Sequence, residues 1–163
     1  MFKNVEILKK SEFKDCTFDQ IDSKEFVEEV KLIPLGVDEI YNYTSYAPII
    51  ITSGKQSEFA LFPGITDKTT IFHKNSCTNT PSYIKSYPFL MLKVKDKNDE
   101  IIDVIGIDKN DKFVGENKTN KIFNSNEELD ELSKNIINNL KTFHQKRELS
   151  KIIMYNLKEK DLL

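Results

Sequence analysis

The C-terminal quarter of the sequence carries a regular helical pattern. Ser125 and Glu128 fit a capping box, in which a serine hydroxyl and a carboxylate three residues later satisfy the first amides of a helix. A second pattern of helical spacing follows farther along the chain, at residues 149–157. We therefore predict a pair of helices within residues 125–160, each needing cover for its apolar face. The apolar positions of the first helix are Leu129, Leu132, Ile136, Ile137, Leu140 and Phe143.

Before residue 125 the chain contains short β-rich runs separated by Gly, Pro, Asn or Asp, and this pattern is typical of antiparallel sheets. Residues 53–56 and 96–99 are tight polar connections, so we predict that each joins the two strands of a hairpin. Residues 37–46 have helical spacing and end before Pro48, which predicts a short helix between the first two strands. The predicted strands are residues 30–35, 48–52, 58–62, 69–73, 89–94 and 101–107.

Strands come first and helices last, without βαβ alternation, and this order is typical of an α+β fold. We expect an antiparallel, strongly curved sheet with the C-terminal helical pair packed on it. A chain of 163 residues with 39% hydrophobic residues suits one hydrophobic core. The prediction is a single domain over residues 1–163, sheet-rich in residues 1–115 and helical in residues 125–160. The polar stretch 108–124 is predicted to be an irregular crossing from sheet to helix.

The charges are balanced and dispersed, with 24 Lys and Arg against 26 Asp and Glu. Nucleic-acid binding needs a concentrated basic face, so we expect no nucleic-acid partner. The first ten residues lack the apolar core of a signal peptide, and we expect no transmembrane segment. The expected location is therefore the cytoplasm, with the cell surface reached only through a non-Sec export route.

The inventory of catalytic groups is small. The sequence has none of the common nucleophile, phosphate-binding or metal-binding motifs, and we predict no catalytic residues, no cofactor and no metal site. Cys16 and Cys77 are predicted to be free thiols. One alternative stays open, because two histidines and a carboxylate can hold iron in an oxygenase-like or other modifying enzyme. In that case His73 and His144 would both have to bind the iron. Their imidazoles would then lie within about 8 Å of each other, since metal–nitrogen bonds are roughly 2 Å long.

The segment TPSYIKSYPFLMLKV, residues 80–94, offers two interpretations. Two prolines constrain the loop between them, and Tyr83, Lys85 and Tyr87 could form a recognition surface there, because tyrosine supplies large contact area at low entropic cost. The other interpretation is that the tyrosine rings cover a sheet edge and keep their hydroxyls in water. The apolar run 89–92 that follows is predicted to be a central, buried strand.

Three segments of the chain resemble the SapC family, small bacterial proteins named from a surface-layer locus. The segments are LIPLGVDEIYNYTSYAPIII at residues 32–51, EFALFPG at residues 58–64 and PSYIKSYPFLML at residues 81–92. The resemblance implies a non-catalytic accessory or interaction protein associated with a bacterial surface layer. Its expected partner is a protein, either a surface-layer component or the machinery that exports or modifies that component.

Overall fold

The structure, a computed structural model, describes residues 2, 4–23, 25–26, 30–52, 57–64, 71–72, 79–110 and 112–162. Its strands are all short except two, and its helices are short except the last. In chain order the elements are β1 (Val5–Ile7), α1 (Lys10–Phe13), β2 (Thr17–Phe18), β3 (Ile33–Pro34), α2 (Ile40–Tyr43), β4 (Ile49–Ile51), β5 (Phe59–Leu61), α3 (Ser82–Lys85), β6 (Phe89–Lys95), β7 (Ile101–Asp108), β8 (Val114–Gly115), β9 (Asn120–Lys121) and α4 (Glu131–Glu159).

The chain forms two compact units, each built from two separate stretches of sequence. Unit 1 contains Met1–Ile21 and Lys85–Lys141, and unit 2 contains Asp22–Ile84 and Thr142–Leu163. Helix α4 contributes its first part to unit 1 and its second part to unit 2. The prediction of a single domain stays a prediction.

Unit 1 holds two antiparallel sheets among its described strands. One has the order β1-β7-β6, and the other has the order β8-β2-β9. The β6–β7 hairpin turns at the predicted polar connection, where the Asp96 amide donates to the Glu100 carbonyl over 2.8 Å. Phe18 and Phe89, one from each sheet, meet edge to face with ring centroids 5.4 Å apart. Both rings are fully buried, so this pair lies in the core of the unit.

Among its described strands, unit 2 holds one antiparallel sheet of order β3-β5-β4, followed in the chain by α3. Helix α2 lies between β3 and β4, which confirms the short helix predicted from residues 37–46. Tyr43 is the buried residue of α2, and Leu61 and Ile33 pair across the sheet with no exposed surface. The second part of α4 adds Phe143 and Met154 to this core.

The C-terminal region is one helix of 29 residues, so the prediction of a helical pair is wrong. Nothing between the two apolar patterns breaks the helix, because residues 131–159 contain no Gly or Pro. The helix also starts later than predicted. Asp130 caps it, accepting the Leu132 amide over 3.3 Å, while Ser125 and Glu128 lie in the preceding exposed turn.

The α+β class and the antiparallel pairing are confirmed. In place of one sheet, the described strands form three small sheets, and the predicted strong curvature stays a prediction. Among the described strands, β7 is the central strand of the β1-β7-β6 sheet and β6 lies at its edge, in contrast to the predicted central position of β6. The predicted strand 69–73 and the connection 53–56 lie outside the described residues, except for Ile71 and Phe72, which form a turn. The crossing 108–124 contains β8 and β9, which pair with β2.

Candidate functional site

Tyr83 lies in unit 2, on the short helix α3. Its ring is half-buried between Phe26, with centroids 5.8 Å apart and the rings nearly perpendicular, and Phe143, with centroids 6.0 Å apart. Burial raises the pKa of the Tyr83 hydroxyl, an effect that Arg147 opposes and Glu58 reinforces. The hydroxyl is therefore a neutral phenol near pH 7.

The carboxylate of Glu58 and the guanidinium of Arg147 form a bidentate pair in the same unit. Arg147 Nε donates to Oε2 and Nη2 donates to Oε1, the second over 2.8 Å. The two side chains are only 17% and 28% exposed. Burial alone would lower the pKa of Arg147, but the hydrogen bonds and charge of Glu58 outweigh it and raise the pKa. We call Phe26, Glu58, Tyr83, Phe143 and Arg147 the Tyr83 cluster.

A second carboxylate, Glu39, fixes the start of α3. Its Oε1 accepts the Ser82 amide over 2.8 Å, and its Oε2 accepts the Gly36 amide over 3.0 Å. A side chain at position 36 would not fit, because a Cβ there would lie 3.0 Å from the Lys146 Cβ and 2.9 Å from the Asp38 Oδ1. Glu39 thus holds the backbone of two segments that are 46 residues apart in the chain.

These contacts join the three segments on which the family resemblance rests. Glu39 belongs to the first segment, Glu58 to the second, and Ser82 and Tyr83 to the third. In the Tyr83 cluster, the Tyr83 ring on α3 contacts Phe26 and Phe143, and Glu58 forms a charge pair with Arg147. Its acid, Glu58, is engaged by Arg147, and its phenol, Tyr83, keeps its proton near pH 7.

Lys85 and Tyr87, the other two candidate binding residues, have opposite environments. Lys85 is exposed, as predicted for a surface residue. Tyr87 is 1% exposed, its hydroxyl donates to Asp108 Oδ2 over 3.1 Å, and its ring meets Phe113 edge to face. Because a buried carboxylate accepts the hydroxyl, Tyr87 is a core residue of unit 1 and not part of a surface. A binding role for Tyr83 and Lys85 stays a prediction.

Three other tyrosines are exposed. The sequence pattern did not identify them as surface residues. Tyr41 is 88% exposed, Tyr155 is 64% exposed and Tyr46 is 45% exposed, all in unit 2. Within the predicted short helix 37–46, Tyr41 recurs at helical spacing with Val37 and Ile40, and this spacing favours a position on their apolar side. In α2 that side belongs to Tyr43 instead, which leaves Tyr41 in water. The sequence gives no signal for this choice, because a four-residue helix is too short for a reliable period.

The histidine pair of the iron hypothesis is only partly described. His144 lies on α4, 15% exposed, with its Nε2 4.0 Å from Glu148 Oε1. His73 lies outside the described residues, so the distance between the two imidazoles is untested. Within the described ranges, no group of three or more His, Cys, Asp or Glu side chains is placed to hold a metal ion. The oxygenase-like alternative therefore stays a prediction.

A surface pocket of about 420 Å³ lies in unit 1, between residues 14–17 and the turn at residues 123–127. Cys16 lines it as a free, half-buried thiol, and burial raises the pKa of this thiol. The thiol is therefore protonated near pH 7 and a poor nucleophile. Cys77 lies outside the described residues.

Comparisons with known proteins place the chain in a family without adding a function. A family model, SapC, matches residues 8–163, which confirms the resemblance seen in the three segments. No curated protein and no solved structure matches the chain. Among the helices of the described ranges, none combines the length and the apolar character needed to cross a membrane.

Proposed function

Because the chain belongs to the SapC family, we propose that it is a non-catalytic interaction protein associated with a bacterial surface layer. The family takes its name from a surface-layer locus, which supports this association. The partner that fits the proposal is a protein, either a surface-layer component or the machinery that exports or modifies that component.

The exposure of Tyr41 is the observation that carries the proposal. A tyrosine that is 88% exposed buries little of its surface in its own fold, yet it lies within residues 32–51, the longest segment of the family resemblance. Tyrosines are enriched where protein surfaces meet, because the ring contributes large contact area and the hydroxyl a hydrogen bond. Tyr46, in the same segment, is also exposed. We therefore place the partner contact on the surface around α2.

Hydrogen bonds and a buried side chain hold the backbone around α2 in place. Helix α2 follows Glu39, whose carboxylate is held by the Ser82 and Gly36 amides, and Tyr43 anchors α2 through its buried ring and its hydroxyl, which donates to the Asn79 carbonyl over 3.3 Å. A recognition side chain on a rigid base loses little conformational entropy on binding.

Photo-crosslinking in the native cells tests the proposal. The photoreactive residue p-benzoylphenylalanine replaces Tyr41 in one variant and Asn139, an exposed residue of α4, in a matched control. We expect a surface-layer component, or a protein of its export or modification machinery, to crosslink from position 41 and not from position 139. The same crosslinked proteins from both positions, or none of that class from position 41, would contradict the proposal.

A further inference from the structure

The longest stretch of the chain without a charged residue contains α2. It covers residues 40–54, in a chain of which 31% is Asp, Glu, Lys or Arg. The structure describes residues 40–52 of this stretch, and much of that part is exposed. We define the α2 surface as the exposed residues in α2 and directly after it. They are Tyr41, Asn42, Thr44, Ser45, Tyr46 and Pro48.

Hydrogen bonds keep the α2 surface compact. The amides of Tyr46 and Ala47 both donate to the Tyr43 carbonyl, over 2.9 and 3.1 Å, so the chain turns directly after the helix. Thr44 Oγ1 donates to the Tyr41 carbonyl over 3.1 Å. The exposed side chains therefore lie on one short folded segment whose central residue, Tyr43, is buried.

The charged residues nearest to the α2 surface in sequence, Asp38 and Glu39, both precede it. The two carboxylate oxygens of Glu39 accept the backbone amides of Ser82 and Gly36. Asp38 is exposed. Within the described segment 32–52, Asp38 is thus the one exposed charge.

The composition of the α2 surface is typical of the centre of a protein interface. Interface centres are depleted in charged residues, because a charge that is buried without a partner loses its hydration. The binding loops of antibodies are enriched in Tyr, Ser and Asn, since tyrosine supplies contact area at low entropic cost and small polar residues supply adaptable hydrogen bonds. The α2 surface has both properties.

From this chemistry we infer that the partner protein covers the α2 surface with uncharged groups, and that ion pairs contribute little to the binding. This inference rests on the proposed function, which places the partner contact around α2. The partner groups that fit are aromatic rings, hydroxyls and amides, which pack on the tyrosines and hydrogen-bond to the hydroxyls of Thr44 and Ser45. A charged partner group would lose its hydration there, and the single carboxylate of Asp38 offers a basic partner little compensation.

Paired charge substitutions at one position test the inference. Asn42→Asp and Asn42→Lys place opposite charges on the α2 surface. Asn139→Asp and Asn139→Lys place the same charges at an exposed position of α4 and are the matched controls. Binding to surface-layer fragments isolated from the native cells is measured by co-sedimentation, and circular dichroism verifies the fold of each variant.

We expect both Asn42 variants to bind at least roughly tenfold more weakly than the wild type, because each buries a charge without a partner. Both Asn139 variants should bind like the wild type. The affinity of the wild type should also change by less than about threefold between about 50 and 500 mM NaCl, since salt screens charge pairs and leaves uncharged contacts in place.

The inference requires that both charges at position 42 weaken binding. A basic partner, attracted to the tyrosine faces and to Asp38, would instead bind Asn42→Asp more tightly than the wild type, and an acidic partner would prefer Asn42→Lys. Either result, or wild-type affinity in either Asn42 variant, would overturn the inference while the proposed function stands. An absence of saturable binding by the wild type would overturn the proposed function, and this inference with it.

Discussion

At the scale of single residues, buried polar side chains of this protein are matched to partners. The Asp108 carboxylate, with no exposed surface, accepts hydrogen bonds from the Tyr87 hydroxyl and from the Asn4 amide. The hydroxyls of Ser133 and Ser150, equally buried, donate to backbone carbonyls. An unmatched buried polar group costs roughly 1–3 kcal/mol, so these bonds permit polar residues in the core.

Phe89→Ala tests the assignment of Phe89 to the core. The ring is 1% exposed and meets Phe18 edge to face, so its removal should lower the free energy of unfolding by about 3–5 kcal/mol. Ile101→Ala, on the same hairpin but 69% exposed, should change it by about 0.5 kcal/mol or less. Urea denaturation measures both variants. An unchanged midpoint for Phe89→Ala would contradict the core assignment.

The Glu58–Arg147 pair is testable by a double-mutant cycle. Exposed ion pairs contribute about 0.2–1 kcal/mol, and breaking a buried pair costs about 3–5 kcal/mol. This half-buried bidentate pair should fall between these limits, with a coupling energy of about 1–3 kcal/mol. Glu58→Gln, Arg147→Met and the double variant, each unfolded in urea, provide the cycle. Strictly additive effects would show that the pair does not hold the Tyr83 cluster together.

At the scale of elements, length decides what can be predicted from sequence. Strands β6 and β7 have seven and eight residues, and their apolar runs and polar turn identify them as a hairpin. Strands β2, β8 and β9 have two residues each, too few to show an alternating pattern, and their pairing depends on contacts about 100 residues apart. The edge position of β6 was likewise unpredictable, since an apolar run suits a buried strand as well as an edge with one apolar face.

The start of α4 gives a direct test of the capping assignment. Asp130→Ala removes the bond to the Leu132 amide and should lower the free energy of unfolding by about 1 kcal/mol. Ser125→Ala should change it by about 0.5 kcal/mol or less, because Ser125 lies in the exposed turn before the helix. Thermal unfolding of the two variants is the measurement. A larger loss for Ser125→Ala would restore the capping box as the start of the helix.

At the scale of the whole molecule, the sequence supports the family and the fold class, and the structure decides which of the candidate side chains are exposed. Tyr83 and Tyr87 were candidate binding residues because prolines flank them. In the structure Tyr87 is buried, with its hydroxyl bonded to Asp108, and Tyr83 is half-buried between two aromatic rings. Both environments depend on residues distant in the chain, which local patterns do not report. Tyr41, in contrast, is exposed because the single turn of α2 buries Tyr43.

The central claim, that this protein binds a surface-layer partner through the surface around Tyr41, is tested most directly by co-sedimentation with surface-layer fragments isolated from the native cells. We predict saturable binding of the wild-type protein and roughly tenfold weaker binding of Tyr41→Ser, since exposed tyrosines at interface centres often contribute more than 1 kcal/mol. The control Tyr155→Ser removes a different exposed tyrosine, which lies on α4, and this variant should bind like the wild type. No saturable binding of the wild type would contradict a surface-layer component as the partner, and identical binding by Tyr41→Ser would contradict the contact around Tyr41.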